Sequence, residues 1–201
     1  MQTHANNLYR FLLARLHLKS ITSKLRVGAV RKASEMIPEK LNDTHDEALK
    51  RMQKGQEKDR GELAMIMLML LSFSLRPLSL GEIQHALLAM EIEGDEVNID
   101  GNDVYDKGFL FTICAGIITL EEGTYVIRFV QHTAETYFEV NRMSLFTNAL
   151  MELTTVFVKY LSFQEFQSGP CLTDTEFEER LRLNQLYDYA ARNRVIMLVT
   201  P

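Results

Sequence analysis

Residues 103–130, DVYDKGFLFTICAGIITLEEGTYVIRFV, carry two different hydrophobic periods. Up to Ala115 the apolar residues recur at helical spacing, and from Ile117 onward they alternate with polar ones. The stretch therefore predicts a helix from about Asp103 to Ala115 and then a β-hairpin. Ile117–Leu120 reads as the first strand, Glu122-Gly123 as a tight turn and Tyr125–Val130 as the returning strand. Tyr125, Ile127 and Phe129 would share one face of it, because strand side chains alternate.

Working upstream, residues 62–76 form an apolar run in which Met65, Met67 and Met69 interleave with leucines. Methionines in such a setting fill core space, and Pro77 should end the helix. Ser79-Leu80-Gly81-Glu82 is a capping box: the serine hydroxyl can accept an amide of the first turn while the glutamate reaches back. It opens a second helix to about Met90, followed by an acidic loop over 91–102 with Gly94 and Gly101. Three helices followed by a hairpin is the plan of a winged helix, expected over 59–141 with a further helix at about Thr133–Val140. The fold class read from the pattern is mainly α: a helical segment, a winged helix of three helices plus a β-hairpin wing, then a helical connector.

The flanks are helical as well. Residues 8–18, LYRFLLARLHL, have helical rhythm, and a short helix at Val30–Ile37 meets Pro38. Thr44-His45-Asp46-Glu47 is another capping box, opening a helix to about Gln53, and the charged stretch Lys54–Gly61 marks a boundary. Downstream, Ser144 is placed to cap a long helix to about Phe163, with Phe146, Leu150, Leu153, Phe157 and Tyr160 on one side. Ser168-Gly169-Pro170 breaks it, and Thr173-Asp174-Thr175-Glu176 starts a charged helix reaching Tyr189. Domains are expected at 1–58, 59–141 and 142–201.

Charge narrows the function classes. The chain of 201 residues carries a net charge of −5, split between a basic residue 1–60 segment with 13 Lys/Arg against 7 Asp/Glu and an acidic remainder with 9 against 20. Within 61–140 only Arg76, Lys107 and Arg128 are basic, against 13 acidic residues. A DNA-reading winged helix lays its third helix in the major groove and holds phosphates with Lys and Arg. Here that helix brings Asp103 and Asp106, so contact with a polyanion would cost Coulomb energy and release few counterions. No nucleic-acid partner is expected.

Enzyme chemistry has no visible anchor. The sequence has no GxSxG elbow, no GxxxxGK[ST] phosphate loop, no GxGxxG and no HExxH. Its five histidines, His4, His17, His45, His85 and His132, are scattered, whereas a metal site needs clustered ligands. Cys114 lies in an apolar run and Cys171 is remote from it, with no CxxC pair, so neither a disulfide framework nor a cysteine metal site is expected. The most apolar run, Ala64–Leu75, falls short of the roughly 20 residues that span a bilayer. No secretory signal opens the sequence. A cytoplasmic, non-enzymatic protein without a membrane or metal partner is the expectation.

Five segments carry a resemblance. FLLARLHL at 11–18 and VRKASEMIPEKLNDTHDEALKRM at 30–52 resemble the last helices of the nucleotide-binding region in fungal signal-transducing NTPases of the NACHT–ankyrin type. RPLSLGEIQHALL at 76–88 and ICAGIITLEEGTYVIRFVQHTAETYFE at 113–139 are similar to that family's winged helix, which travels under the label "GPI inositol-deacylase winged helix". YLSFQEFQSGPCLTDTEFEERLRLNQLYDYAARN at 160–193 resembles the connector before the ankyrin array.

The resemblance implies a non-catalytic module that packs on a NACHT domain and an ankyrin array, in cis or in an intact relative, and helps hold an ADP-bound state. Oligomers would form only as part of a full-length receptor. It also implies a truncated start, a C-terminus that is a truncation, an alternative end or a misread exon boundary, and no ATP or ADP binding unless the missing nucleotide domain is present. Relatives usually place a phosphate-sensing histidine directly after the second wing strand. Counting back from Tyr137-Phe138 puts Gln131 at that position and His132 one residue later. A neutral amide cannot supply an imidazolium's charge, so either the sensing role is lost or His132 takes it after a local shift. An alternative to the whole reading is a stand-alone protein–protein adaptor.

Overall fold

The computed structural model describes residues 45–46, 48–50, 52–53, 58–92 and 104–193. The helices expected at 8–18 and 30–37, most of the acidic loop and the tail beyond 193 lie outside the described residues. The chain is mainly helical with one two-stranded antiparallel sheet. Described residues between 45 and 53 are helical, where the Thr44 box was expected to start a helix.

Helix α1, Lys58–Phe73, is the central element, and it packs against four other helices. Leu63, Ala64, Met67, Leu68, Met69, Leu70 and Phe73 are all buried along it. The methionines fill core space as expected, although Met65 is only half-buried. The helix starts four residues earlier than predicted and stops three before Arg76. The Ser72 and Ser74 hydroxyls donate to the Leu68 and Leu70 carbonyls at 2.6 Å, closing the last turn locally. Arg76, which precedes Pro77, is disfavoured in helical geometry.

Helix α2, Leu80–Glu91, opens on the complete capping box: Glu82 N–H donates to Ser79 Oγ and Ser79 N–H to Glu82 Oε2. Helix α3, Lys107–Ile113, begins four residues later than the period suggested, because Asp106 caps it by accepting from Phe109 N–H at 2.9 Å. It ends where Ala115 and Gly116 both take positive φ, 50° and 79°.

Strands β1, Ile118–Glu121, and β2, Val126–Phe129, pair with Ile118 opposite Phe129 and Glu121 opposite Val126. Tyr125 does not share the face of Ile127 and Phe129. It belongs to the turn, at φ 55° and 65 % exposed. Its carbonyl instead accepts from Leu80 N–H at 2.9 Å, while Ile127 N–H donates to Leu78 O at 2.9 Å. The approach to α2 thus closes onto β2 through an isolated antiparallel bridge, Ser79 to Val126.

Helix α4, His132–Leu145, runs five residues past its predicted end. Ser144 therefore lies inside α4, its hydroxyl donating to Asn141 O, and does not cap the next helix. The expected 141/142 domain limit falls within α4. The chain breaks at Phe146–Asn148 because Phe146 turns inward, buried edge-on to Phe73 with ring centres 6.3 Å apart.

Helix α5, Ala149–Leu161, buries Leu153, Phe157 and Tyr160 and lies against both α2 and the last helix. A 3-10 turn follows at Gln164–Phe166. Helix α6, Asp174–Leu183, has half of the predicted box: Thr173 caps Glu176 N–H, but Glu176 accepts from Leu172 N–H rather than from Thr173. The helix stops at Asn184 instead of reaching Tyr189, and α7, Tyr187–Asn193, starts afresh.

Candidate functional site

The end of β2 delivers the two residues singled out for phosphate sensing. Gln131 is the N-cap residue of α4 with extended backbone, yet its side chain caps nothing. Its Oε1 accepts from the Thr133 hydroxyl at 3.3 Å. His132, the first residue of α4, is 89 % exposed, with Nδ1 3.2 Å from Glu135 Oε2. The amide is thus held by a neighbour two residues on, and the imidazole stands in water beside a carboxylate.

A pocket of about 280 Å³ opens next to them, and neither Gln131 nor His132 lines it. Its polar wall includes Arg76, Arg128 and Arg142 with Glu135 and Glu139. Two of the three guanidinium groups are matched. Arg76 holds Glu82 through two nitrogens, at 2.5 and 3.0 Å, and Arg128 lies 3.2 Å from Glu121. Those contacts keep the Glu121 carboxyl below its ordinary range, led by the Thr124 hydroxyl and then Arg128. Arg142 lies over the Phe73 ring at 5.3 Å and donates to Ser72 O at 3.4 Å. With those two partners and Glu135 and Glu139 on the same wall, three guanidiniums face four carboxylates, and the pocket has no excess of positive charge. A phosphate cradle needs an excess of donors and positive charge.

A second constellation, not singled out from the sequence, ties α7 to the turn between α1 and α2. Glu82 is buried and serves both the Ser79 cap and the Arg76 pair. The Arg76 guanidinium lies 4.9 Å from the centre of the Tyr189 ring, and Leu75 N–H donates to the Tyr189 hydroxyl at 2.9 Å. The Glu82 hydrogen bond raises the Arg76 pKa further. Gly81 lets the chain approach closely: a Cβ there would lie 1.6 Å from Gln185 Oε1. The capping box gave away half of Glu82's role, but its partner Tyr189 is more than a hundred residues distant.

Two buried histidines complete the inventory. The His85 Nδ1 is 2.8 Å from the Tyr160 hydroxyl, a buried hydrogen bond that ties α2 to α5. Burial lowers the His85 pKa, against an opposing pull from Glu165. His45 is fully buried, and among the described residues neither ring nitrogen has a hydrogen-bond partner; its ring lies 5.0 Å from that of Tyr137. Burial lowers its pKa too, with Asp46 opposing, and the Tyr137 hydroxyl donates to Asp46. Cys114 is buried 3.7 Å from the Met67 sulfur, and burial pushes its thiol up to about 12, so it stays protonated.

No family model, curated protein or solved structure matches the chain. Among the described residues, no helix is long and apolar enough to cross a membrane, and no group of three or more His, Cys, Asp or Glu side chains could hold a metal ion. The arrangement is one of charge-paired clasps and a buried hydrogen-bonded His85–Tyr160 pair. Such groups position helices.

Proposed function

We propose that the chain is a non-catalytic packing and control module of a NACHT-type signalling NTPase, with α1, α2, α3 and the hairpin forming a winged helix. The closure of Leu78–Leu80 onto β2 supports the winged-helix reading, since it makes the hairpin and the helix pair one block. The observation that carries the functional reading is the clasp of Arg76, Glu82 and Tyr189. It fixes the last described helix on that block, so a movement of whatever follows residue 193 is handed directly to the turn that starts α2. A module of this kind changes a switch only by touching its two states differently.

The resemblance supplies the NACHT domain as the partner, and the pocket beside His132, without excess positive charge, supports loss of phosphate sensing. The test is binding of the purified chain to the isolated nucleotide-binding domain of an intact NACHT–ankyrin receptor. We expect binding to the ADP-loaded domain about tenfold tighter, or about 1.4 kcal/mol, than to the domain loaded with a non-hydrolysable ATP analogue. Absence of binding in both states would overturn the proposal. Calorimetry of the chain alone with ATP or ADP should give no binding heat, and a tight complex would refute the nucleotide-silent reading.

A further inference from the structure

Helix α5 turns two faces to different surroundings. Leu153, Val156, Phe157 and Tyr160 are buried, while Met151 and Val158 stand 66 % and 51 % exposed with Thr155 between them. Residues 151 and 158 are two turns apart, so the three form one stripe along the outer face, about 10 Å long. A shallow groove of about 270 Å³ runs beside it, floored by Ala89 and Met90 of α2. Glu152 and Lys159 flank the groove, again two turns apart. They are too far apart to pair with each other. Glu152 is exposed and has no ion-pair partner among the described residues, and Lys159 gives one of its three donors to Ile92 O.

We infer that this face is a self-association surface, occupied by α5 of a second copy running antiparallel. The charge order selects that occupant. A two-fold axis beside Thr155 sets Met151 over Val158 of the second copy and brings Glu152 next to Lys159 of the second copy. The same two contacts then repeat by symmetry, as a closed two-fold interface demands. A parallel pairing would set Glu152 against Glu152. The inference does not depend on the NACHT reading.

One helix face covers less than the roughly 800 Å² per partner of a standard stable interface, so the dimer is weak, with a dissociation constant on the order of 100 µM. Sedimentation of the full chain across two decades of concentration around that value reads it directly, as a concentration-dependent rise toward doubled mass. Glu152→Lys and Lys159→Glu should each weaken the dimer at least tenfold, since each sets like charges together twice. An equimolar mixture of the two single variants should recover it, because every contact is then Lys against Glu, and Met151→Asp should abolish it. Circular dichroism verifies that each variant is folded, and Glu152→Lys leaves the Lys159 bond to Ile92 intact. A chain that stays monomeric throughout, single reversals without effect, or a mixture no more dimeric than its components would each overturn the inference and leave the groove to a different partner.

Discussion

The two buried histidines show that the core is fastened in two different ways. His85, on α2, is hydrogen-bonded through Nδ1 to the Tyr160 hydroxyl of α5. That bond joins two elements distant in sequence and is backed by the clasp at Arg76 and Tyr189, which brings in α7. His45, in the helical residues before α1, is equally buried, but its ring nitrogens have no hydrogen-bond partner among the described residues. Burying a polar group stabilises only when its hydrogen bonds are made, and otherwise costs its desolvation. The α2–α5–α7 junction is therefore specified by polar geometry. The seat of residues 45–53 rests on apolar contact through Leu49 and Met52 and on the bond from Tyr137 to Asp46.

The hardest blow to that difference is Tyr160→Ala. Tyr160 is fully buried, with Phe163 and Phe166 packed around its ring at 5.4 and 5.6 Å. Removing a large buried ring leaves a cavity and should cost about 3–5 kcal/mol in urea unfolding. A loss under about 2 kcal/mol would mean that the junction collapses to fill the space.

Tyr160→Phe is the finer cut, because it keeps the ring and removes only the hydroxyl. His85 Nδ1 then loses its partner, and the expected cost is about 1–3 kcal/mol. His85→Leu should cost a similar amount by stranding the hydroxyl instead, and the double variant should cost less than the sum of the two, as contacting residues do. Additive effects would show that the two side chains do not act as one pair.

How much of this was legible in the sequence follows from the range of each interaction. The Ser79 box could be read because its two hydrogen bonds span three residues, and the Asp106 cap was within reach on the same grounds. The break at Phe146–Asn148 could not, since no proline or glycine marks it. The chain leaves the helix because Phe146 finds Phe73 some seventy residues upstream, a tertiary contact that overrides local propensity. Tyr125 misled for a related reason. Its alternation continued the strand pattern, but its carbonyl is claimed by Leu80, and a turn with positive φ is what delivers it. Of the site, Gln131 and His132 were named from the resemblance, and they lie at the start of α4 outside the lining of the neighbouring pocket. The Arg76–Glu82–Tyr189 clasp and the His85–Tyr160 pair were missed, because no sequence period links positions 75 to 113 residues apart.

The pH dependence probes both histidines together. Each folded-state pKa lies below 6.5, the unfolded value. As pH falls through about 6.5, the unfolded chain takes up protons that the folded chain refuses, so stability should drop until the folded-state pKa values are reached. Above about pH 7.5 both states are neutral at these sites and stability should be level. Exposed carboxylates lowered by their partners, Glu121 and Glu179, titrate below 4.5 and do not enter this window. Urea midpoints taken from pH 8 to 5.5 measure it, and a midpoint that rises on acidification would contradict the burial of both rings.

His45→Leu is the smallest expected change and the most discriminating, because its sign should be opposite to that of His85→Leu. Leucine fills a similar space and has no polar atom to desolvate, and no hydrogen bond to the described residues is broken because none is made. Stability should stay level or rise by up to about 1 kcal/mol at neutral pH, with the loss of the Tyr137 ring contact offsetting part of the gain. The same variant should flatten the pH dependence, since only His85 then titrates away from its unfolded value. A loss of more than about 1 kcal/mol would mean that His45 is partnered in solution, and the contrast between the two junctions would vanish.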